Sequence, residues 1–263
     1  MTAAQSSIDT YQRDGAVVLR GVFADWVDAL RQGVDTVMSR PSPLERSYRV
    51  PGSAPFFQDL CNWPRIPGFE DFVRHSPAAP LAAALMGSRT ARFFHDHVLV
   101  KEPGTALATP WHQDLPYYCV TGPCSVSFWI PLDPIPRDIC MECIAGSHTW
   151  QHLHKPKRFD GSDLYAGDER IDMPDIDADR AAYPILGWAL EPGDAIAFHF
   201  ATVHGAPATT HAHGRRRVFS ARWVGDGAVF ANRHGKGSPP FAHLTLAEGA
   251  PFEGPDFPLI FSR

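Results

Sequence analysis

From about residue 90 onward this chain stops reading as helix and becomes a series of short apolar runs, each closed by proline or glycine. In the first, TARFFHDHVLVKEPG, Phe94, Asp96 and Val98 fall on one side and His95, His97 and Leu99 on the other. That period of two is expected of a strand with two unlike faces. CSVSFWIPLD, GDAIAFHF and RRRVFSARWVGD are similar segments. With 25 prolines and 21 glycines spread along 263 residues, the pattern favours many short strands joined by turns. The predicted fold class is therefore mainly β.

Helical signals gather in the first third. Ser6 and Ser7 are placed to cap a helix running through Arg13 and ended by Gly15. AVVLRGV follows as a strand. The next helix spans about residues 24–39, with Val27, Leu30, Val34, Val37 and Met38 on one face. Two more are expected around 69–74 and 78–86. The segment from about 151 to 186 is polar, acid-rich and without clear period. Connections of that length tend to be lids or binding loops. Residues 1–263 thus read as one domain carrying a lid or insertion.

A formal net charge of −5 and a pI near 6.2 give no electrostatic reason to expect nucleic acid or an anionic membrane as partner. No apolar run approaches the roughly 20 residues that cross a bilayer. The N-terminus, MTAAQSSIDTYQRDG, lacks the pattern of a secretory signal, so a cytoplasmic location is expected. The five cysteines, an odd number, are expected to be reduced. Cys140 and Cys143 form a CxxC without a second ligand pair, so packed, inert thiols are expected there.

The chemistry is concentrated in Trp111-His112-Gln113-Asp114. Side-chain alternation would put His112 and Asp114 on one side of an extended segment. With 13 histidines in the chain, one such pair is weak evidence. Weight comes from His204, which arrives from a distant strand in HFATVHGAP. Two histidines and one carboxylate on one face of a metal form the facial triad that leaves positions open on a non-heme Fe(II) for oxygen and a co-substrate. An acidic co-substrate chelating that metal needs a cationic anchor, and arginine serves bidentately. Arg215, Arg216 and Arg217 stand at the start of the next strand, where Arg216, Val218 and Ser220 share a face and the Ser220 hydroxyl can add a donor.

Together these segments resemble the phytanoyl-CoA dioxygenase (PhyH) family of Fe(II)/2-oxoglutarate-dependent oxygenases. The likeness runs through YQRDGAVVLRGVF, HDHVLVKEPGTALATPWHQDLPYY, SFWIPLDPIPRDICMECIAGSHTW and LEPGDAIAFHFATVHGAP with RRRVFSARW. It implies a double-stranded β-helix (jelly-roll, cupin-like) core with N-terminal flanking α-helices. It also implies Fe(II) held by His112, Asp114 and His204, and 2-oxoglutarate as co-substrate. Gln113 and Trp129 match positions lining the 2-oxoglutarate pocket, and Val98 a position that meets 2-oxoglutarate in some relatives. The basic anchor matches best at Arg216, with Arg215 and Arg217 open because HAHG before them carries an extra residue. Where the family often has Asn-Gly before the Gly-Ser-His turn, this chain has Asp138-Ile139-Cys140-Met141-Glu142. Asp114 argues against halogenation, in which a small residue replaces the carboxylate. The implied reaction is hydroxylation of a small molecule with molecular oxygen, releasing succinate and carbon dioxide. His95, His97, Tyr117, Tyr118 and the 151–186 segment are candidate substrate contacts. Two other readings use the same residues: a zinc-dependent hydrolase on the same scaffold, and a non-catalytic sensor of 2-oxoglutarate or metal.

Overall fold

The computed structural model describes residues 4–158, 161–210, 214–233 and 237–263. In chain order its elements are α1 (Gln5–Asp14), β1 (Ala16–Leu19), α2 (Val27–Ser39), β2 (Phe56–Leu60), α3 (Pro67–His75), α4 (Ala78–Met86) and β3 (Thr90–Lys101). There follow β4 (Thr109–His112), β5 (Val120–Thr121), β6 (Ser125–Pro131), β7 (Glu142–Ile144), β8 (Ile185–Gly187) and β9 (Ala195–Phe198). The last are β10 (His204–Ala206), β11 (Arg216–Val224), β12 (Val229–Phe230) and β13 (Leu259–Ser262). The expected switch from helices to strands near residue 90 is borne out.

Every strand pairing is antiparallel. A large sheet runs β1-β9-β6-β11-β3-β13, with β2 also pairing β3, and a small sheet runs β4-β10-β7-β8. Residues of β2, β3, β6 and β11 from one sheet and β4 and β10 from the other line a single cavity between them. This is the jelly-roll core with flanking helices. Among the described residues no helix is long and apolar enough to cross a membrane.

Alternation along β11 decides what each sheet face does. Phe219, Ala221 and Trp223 point to the helices, while Val218 faces the inter-sheet space. On the helix side they meet Val98, Val100 and Phe128 of neighbouring strands and Leu30, Val34, Phe69, Phe72 and Leu81 of α2, α3 and α4. Phe219 stands 4.4 Å from the Phe69 ring and 5.5 Å from Phe72. Full burial of such side chains contributes about 1.5–3 kcal/mol each, which makes this layer the mechanical backing of the sheet.

The N-terminal helix ends as its sequence suggests. Gly15 adopts φ 73°, and its N–H donates to Tyr11 O. A Cβ there would lie 2.4 Å from His148 Nδ1, so only glycine lets the chain pass from α1 to β1 at this point. The Gly15 carbonyl in turn accepts from His199 N–H and the Thr202 hydroxyl. It thus holds the turn that delivers His204. The expected capping by Ser6 and Ser7 is not found: the N-cap is Ala4, without a side-chain cap.

All five cysteines are free, and Cys140 and Cys143 are buried in the inter-sheet core. Burial pushes the Cys140 thiol up to about 11, as suits an inert packed thiol. The Gly-Ser-His turn forms despite the altered residues before it. Gly146 takes φ 76°, the Ser147 hydroxyl donates to Ile144 O and accepts from Val203 N–H, and Gly146 N–H donates to Asp14 O.

Candidate metal centre

β4 and β10 pair so that His112 lies directly opposite His204, with ring centroids 4.2 Å apart. Asp114 reaches them by a different route from the one expected. The strand stops at His112, and Asp114 begins a short 3-10 turn in which its N–H and that of Leu115 both donate to Phe200 O at 2.9 Å. Strand alternation therefore does not bring Asp114 beside His112; a backbone clasp to the segment after β9 does.

The ligand atoms of His112, Asp114 and His204 all lie within 4.8 Å of one another. His112 Nε2 is 3.5 Å and His204 Nε2 3.9 Å from Asp114 Oδ1. Their Nδ1 atoms lie 2.8 Å from Pro110 O and 3.0 Å from Thr202 O. A carbonyl can only accept, so each Nδ1 carries a proton, which leaves each Nε2 as the ring atom turned toward Asp114. Burial, with His112 alongside, pushes His204 down to about 3, which keeps its imidazole neutral. Burial also opposes the charged form of Asp114. A hydrogen bond with the His112 ring and the charge of Arg222 nearby outweigh it and hold this carboxyl well below the usual range. Two imidazole Nε2 atoms and one ionised carboxylate is the donor set a divalent first-row metal takes. Asp114 is further clamped by the hydroxyls of Tyr117 and of Tyr118, the latter donating at 2.9 Å.

The cavity of about 170 Å³ beside this triad sorts the remaining candidates. Trp129, Arg216 and His97 line it, as do Tyr117 and Tyr118. Ser220 shares the cavity-facing side of β11, opposite His97 and Trp129. Among the three arginines, Arg216 alone lines the cavity. It is buried, donates through Nη1 to Ile139 O and sits 6.0 Å from the Trp129 ring. Arg215 is turned outward to Glu102, and Arg217 binds Asp133 and Asp35. His211 to His213, whose extra residue left the choice open, lie outside the described residues.

Three expectations are corrected. Gln113 does not line the pocket. Its amide donates to Ala201 O and accepts from His154 N–H, both at 2.9 Å, so it ties two loops together behind the triad. Val98, opposite Phe219, is fully buried in the helix-facing layer and cannot meet a ligand in the cavity. His95 is packed against Phe94 and Tyr118 outside the main cavity. From the 151–186 segment, Lys157, Arg158 and Leu164 reach the cavity lining; Phe159 and Asp160 lie outside the described residues.

Sequence reasoning missed Lys101 and Arg222. Both line the cavity. Continuing the same-face rows one step, from Leu99 to Lys101 and from Ser220 to Arg222, would have found them. Lys101 lies opposite Arg216 in register, and its Nζ donates to Leu107 O at 2.6 Å. Burial, with Arg216 alongside, pushes its ammonium down to about 6.

Comparison with known proteins follows the same lines. The family model described as Phytanoyl-CoA dioxygenase (PhyH) matches residues 11–218. The non-heme alpha ketoglutarate dependent carbocyclase SnoK from nogalamycin biosynthesis superposes with a TM-score of 0.76 at 22% identity, covering 98% of this chain and 96% of that one. The epimerase SnoN, solved with Fe3+, alpha ketoglutarate and nogalamycin RO, gives 0.75 at 23% identity, covering 97% and 98%. EctD from S. alaskensis, solved with 2-oxoglutarate and 5-hydroxyectoine, gives 0.71 at 18% identity, covering 95% and 86%. At these identities the likeness establishes the fold. Curated protein sequences give no match.

Proposed function

Since the chain belongs to the phytanoyl-CoA dioxygenase family, we propose that it is an Fe(II)- and 2-oxoglutarate-dependent oxygenase that hydroxylates a small molecule, with His112, Asp114 and His204 as the iron ligands. The observation that carries this reading is the convergence of two imidazole Nε2 atoms and an ionised carboxylate beside a cavity walled by buried Arg216. When bound, iron and 2-oxoglutarate supply the oxidising chemistry: 2-oxoglutarate and oxygen give succinate and carbon dioxide, and the second oxygen atom enters a substrate C–H bond as an alcohol.

The protein's part is to bind, orient and keep water out. Pro110 O and Thr202 O fix the tautomers of the two histidines. Tyr117 and Tyr118 fix the Asp114 carboxylate. Arg216, held by Ile139 O, anchors the distal carboxylate of 2-oxoglutarate, with Trp129 as the wall beside it. Leu99, Met141, Phe198 and Val218 make the neighbouring surface apolar.

The test is anaerobic addition of 2-oxoglutarate to Fe(II)-loaded protein, followed by oxygen. A charge-transfer band, then succinate and a product heavier by one oxygen atom, are expected. Absence of both band and succinate sinks the reading. A product altered but carrying no added oxygen atom would replace hydroxylation by another reaction, such as those for which the carbocyclase and the epimerase among the similar structures are named.

Two further results are expected. Arg216→Ala should weaken 2-oxoglutarate binding by roughly 10- to 100-fold, the worth of a hydrogen-bonded charge pair. Arg215→Ala and Arg217→Ala should change it less than about twofold, because those side chains are engaged elsewhere. A spectroscopic titration of the band with 2-oxoglutarate decides this, and an unchanged Arg216→Ala titration would remove Arg216 from its role.

The second concerns pH. In the absence of 2-oxoglutarate Lys101 titrates near 6. A dianion bound beside it must raise that value, so binding takes up a proton in the window above 6. Affinity should therefore be highest below that pH and fall as pH rises through it, by up to about tenfold per unit. Lys101→Met should flatten this part of the profile, and an identical slope in the variant would refute the coupling.

A further inference from the structure

We propose that the substrate is acidic, and that Arg222 holds its carboxylate or phosphate oxygens at the opposite end of the cavity-facing run of β11 from Arg216. This rests on the oxygenase reading and adds to it the class of molecule oxidised.

The case begins with a buried arginine whose donors are only partly used: Tyr118 hydrogen-bonds it, and Asp114 answers its charge without touching it. Arg222 is 5% exposed and lines the cavity. Its Nε has no hydrogen-bond partner among the described residues. The nearest carboxylate oxygen, Asp114 Oδ2, is 3.7 Å away, beyond hydrogen-bond reach. Its Nη1 meets Ser220 O only at 3.5 Å, and its guanidinium lies 5.5 Å from the centre of the Tyr118 ring. A guanidinium carries five N–H donors and is costly to bury without acceptors. Asp114 pairs with it only at a distance, because Tyr117 and Tyr118 already donate to Asp114 and it faces the two histidines. A metal at the triad would draw on Asp114 further and leave Arg222 still more in need of an anion.

The surroundings point the same way. Gln58 Nε2, His97 Nε2 and Ser220 Oγ are also buried without hydrogen-bond partners among the described residues. Register puts them on the cavity side with Arg222: Gln58 pairs with Leu99, and His97 with Ser220, two residues before Arg222 on β11. Four potential donors from three adjacent strands thus surround one space. Among the described residues the cavity lining carries Arg46, Lys157, Arg158, Arg216 and Arg222, with Lys101 adding a charge only below about pH 6, against the single carboxylate of Asp114. Lys157 shares its charge with Asp172 at 3.2 Å, but the balance remains positive. Such a lining attracts anions and repels cations. Arg216 and Arg222 are six residues apart on one strand, roughly 20 Å between Cα atoms at ~3.3 Å per residue, which leaves room for two separate anions.

The experiment uses Fe(II)-loaded protein with 2-oxoglutarate under anaerobic conditions, titrated with hexanoate against hexanamide and with hexyl phosphate against hexanol. The acidic member of at least one pair should perturb the charge-transfer band at a concentration tenfold or more below its neutral partner, and the pair that does so tells carboxylate from phosphate. Arg222→Gln should lose that preference at least tenfold, each variant's acid and neutral members being compared against its own 2-oxoglutarate band. Arg222→Lys, which keeps the charge but not the fork, should lose it at least threefold and serves if the glutamine variant does not fold. Neutral partners as effective as the acids, or an undiminished preference in both variants, would overturn the proposal. Failure of the oxygenase reading shows separately, as the absence of any 2-oxoglutarate band in the unaltered protein. The acid preference is then read by thermal shift of the metal-free protein.

Discussion

His112→Ala should abolish the band that 2-oxoglutarate forms with the Fe(II)-loaded protein and cut succinate release by on the order of 10³-fold or more, about 4 kcal/mol of lost stabilisation. The three ligands act as a unit, so losing one removes nearly the whole effect. His112 is the cleanest member to remove. Its side chain is 20% exposed, whereas that of Asp114 is 2% exposed. Taking away Asp114 would strand the Tyr117 and Tyr118 hydroxyls and leave Arg222 without its nearest negative charge. His112→Ala should therefore unfold within a few degrees of the unaltered protein, while Asp114→Ala should be visibly less stable as well as inactive. Anaerobic spectra, succinate assays and thermal melts of both variants make the comparison. A His112→Ala protein that still forms the band would remove the proposed metal centre.

Phe219→Ala should have the largest effect on stability. The ring is fully buried between the large sheet and the helix layer, against Phe69 and Phe72. Truncating a buried phenylalanine costs about 3–5 kcal/mol, because the transfer free energy is lost and the cavity refills poorly. For a chain of this size that lowers Tm by roughly 6–20 °C. The residue stands between Val218 and Ser220 on the strand that also carries Arg216 and Arg222. Loosening its packing should therefore also weaken 2-oxoglutarate binding. Thermal unfolding of the metal-free protein gives the stability change directly, and a loss below about 1 kcal/mol would show that the helix layer does not brace the sheet.

The candidate site divides sharply by the kind of information each residue needed. His112, Asp114 and His204 were legible because metal ligands are constrained in type, and few other residues can do their work. The sequence narrowed the candidate anchor to three arginines, since alternation does not say which face is inside, and of these Arg216 is the one that lines the cavity. Gln113 and Val98 went wrong for that same reason. Each matched a ligand-lining position by resemblance, yet Gln113 bridges two loops and Val98 packs against the helices. Lys101 and Arg222 were passed over because a charged residue in a strand reads as solvated until the opposite sheet is seen to cover it.

Local sequence determined the elements themselves. Period-two apolar runs after residue 90 made strands, the face of Val27, Leu30, Val34 and Val37 made a core helix, and Gly15 made the turn between α1 and β1. These depend on neighbours a few residues apart, which a sequence displays. Tertiary structure alone decided which side of each strand became cavity. It seated Asp114 through Phe200 O after its strand had ended, and left Arg222 buried with few acceptors. Those outcomes depend on antiparallel register between segments far apart in the chain, where a shift of one residue exchanges the faces.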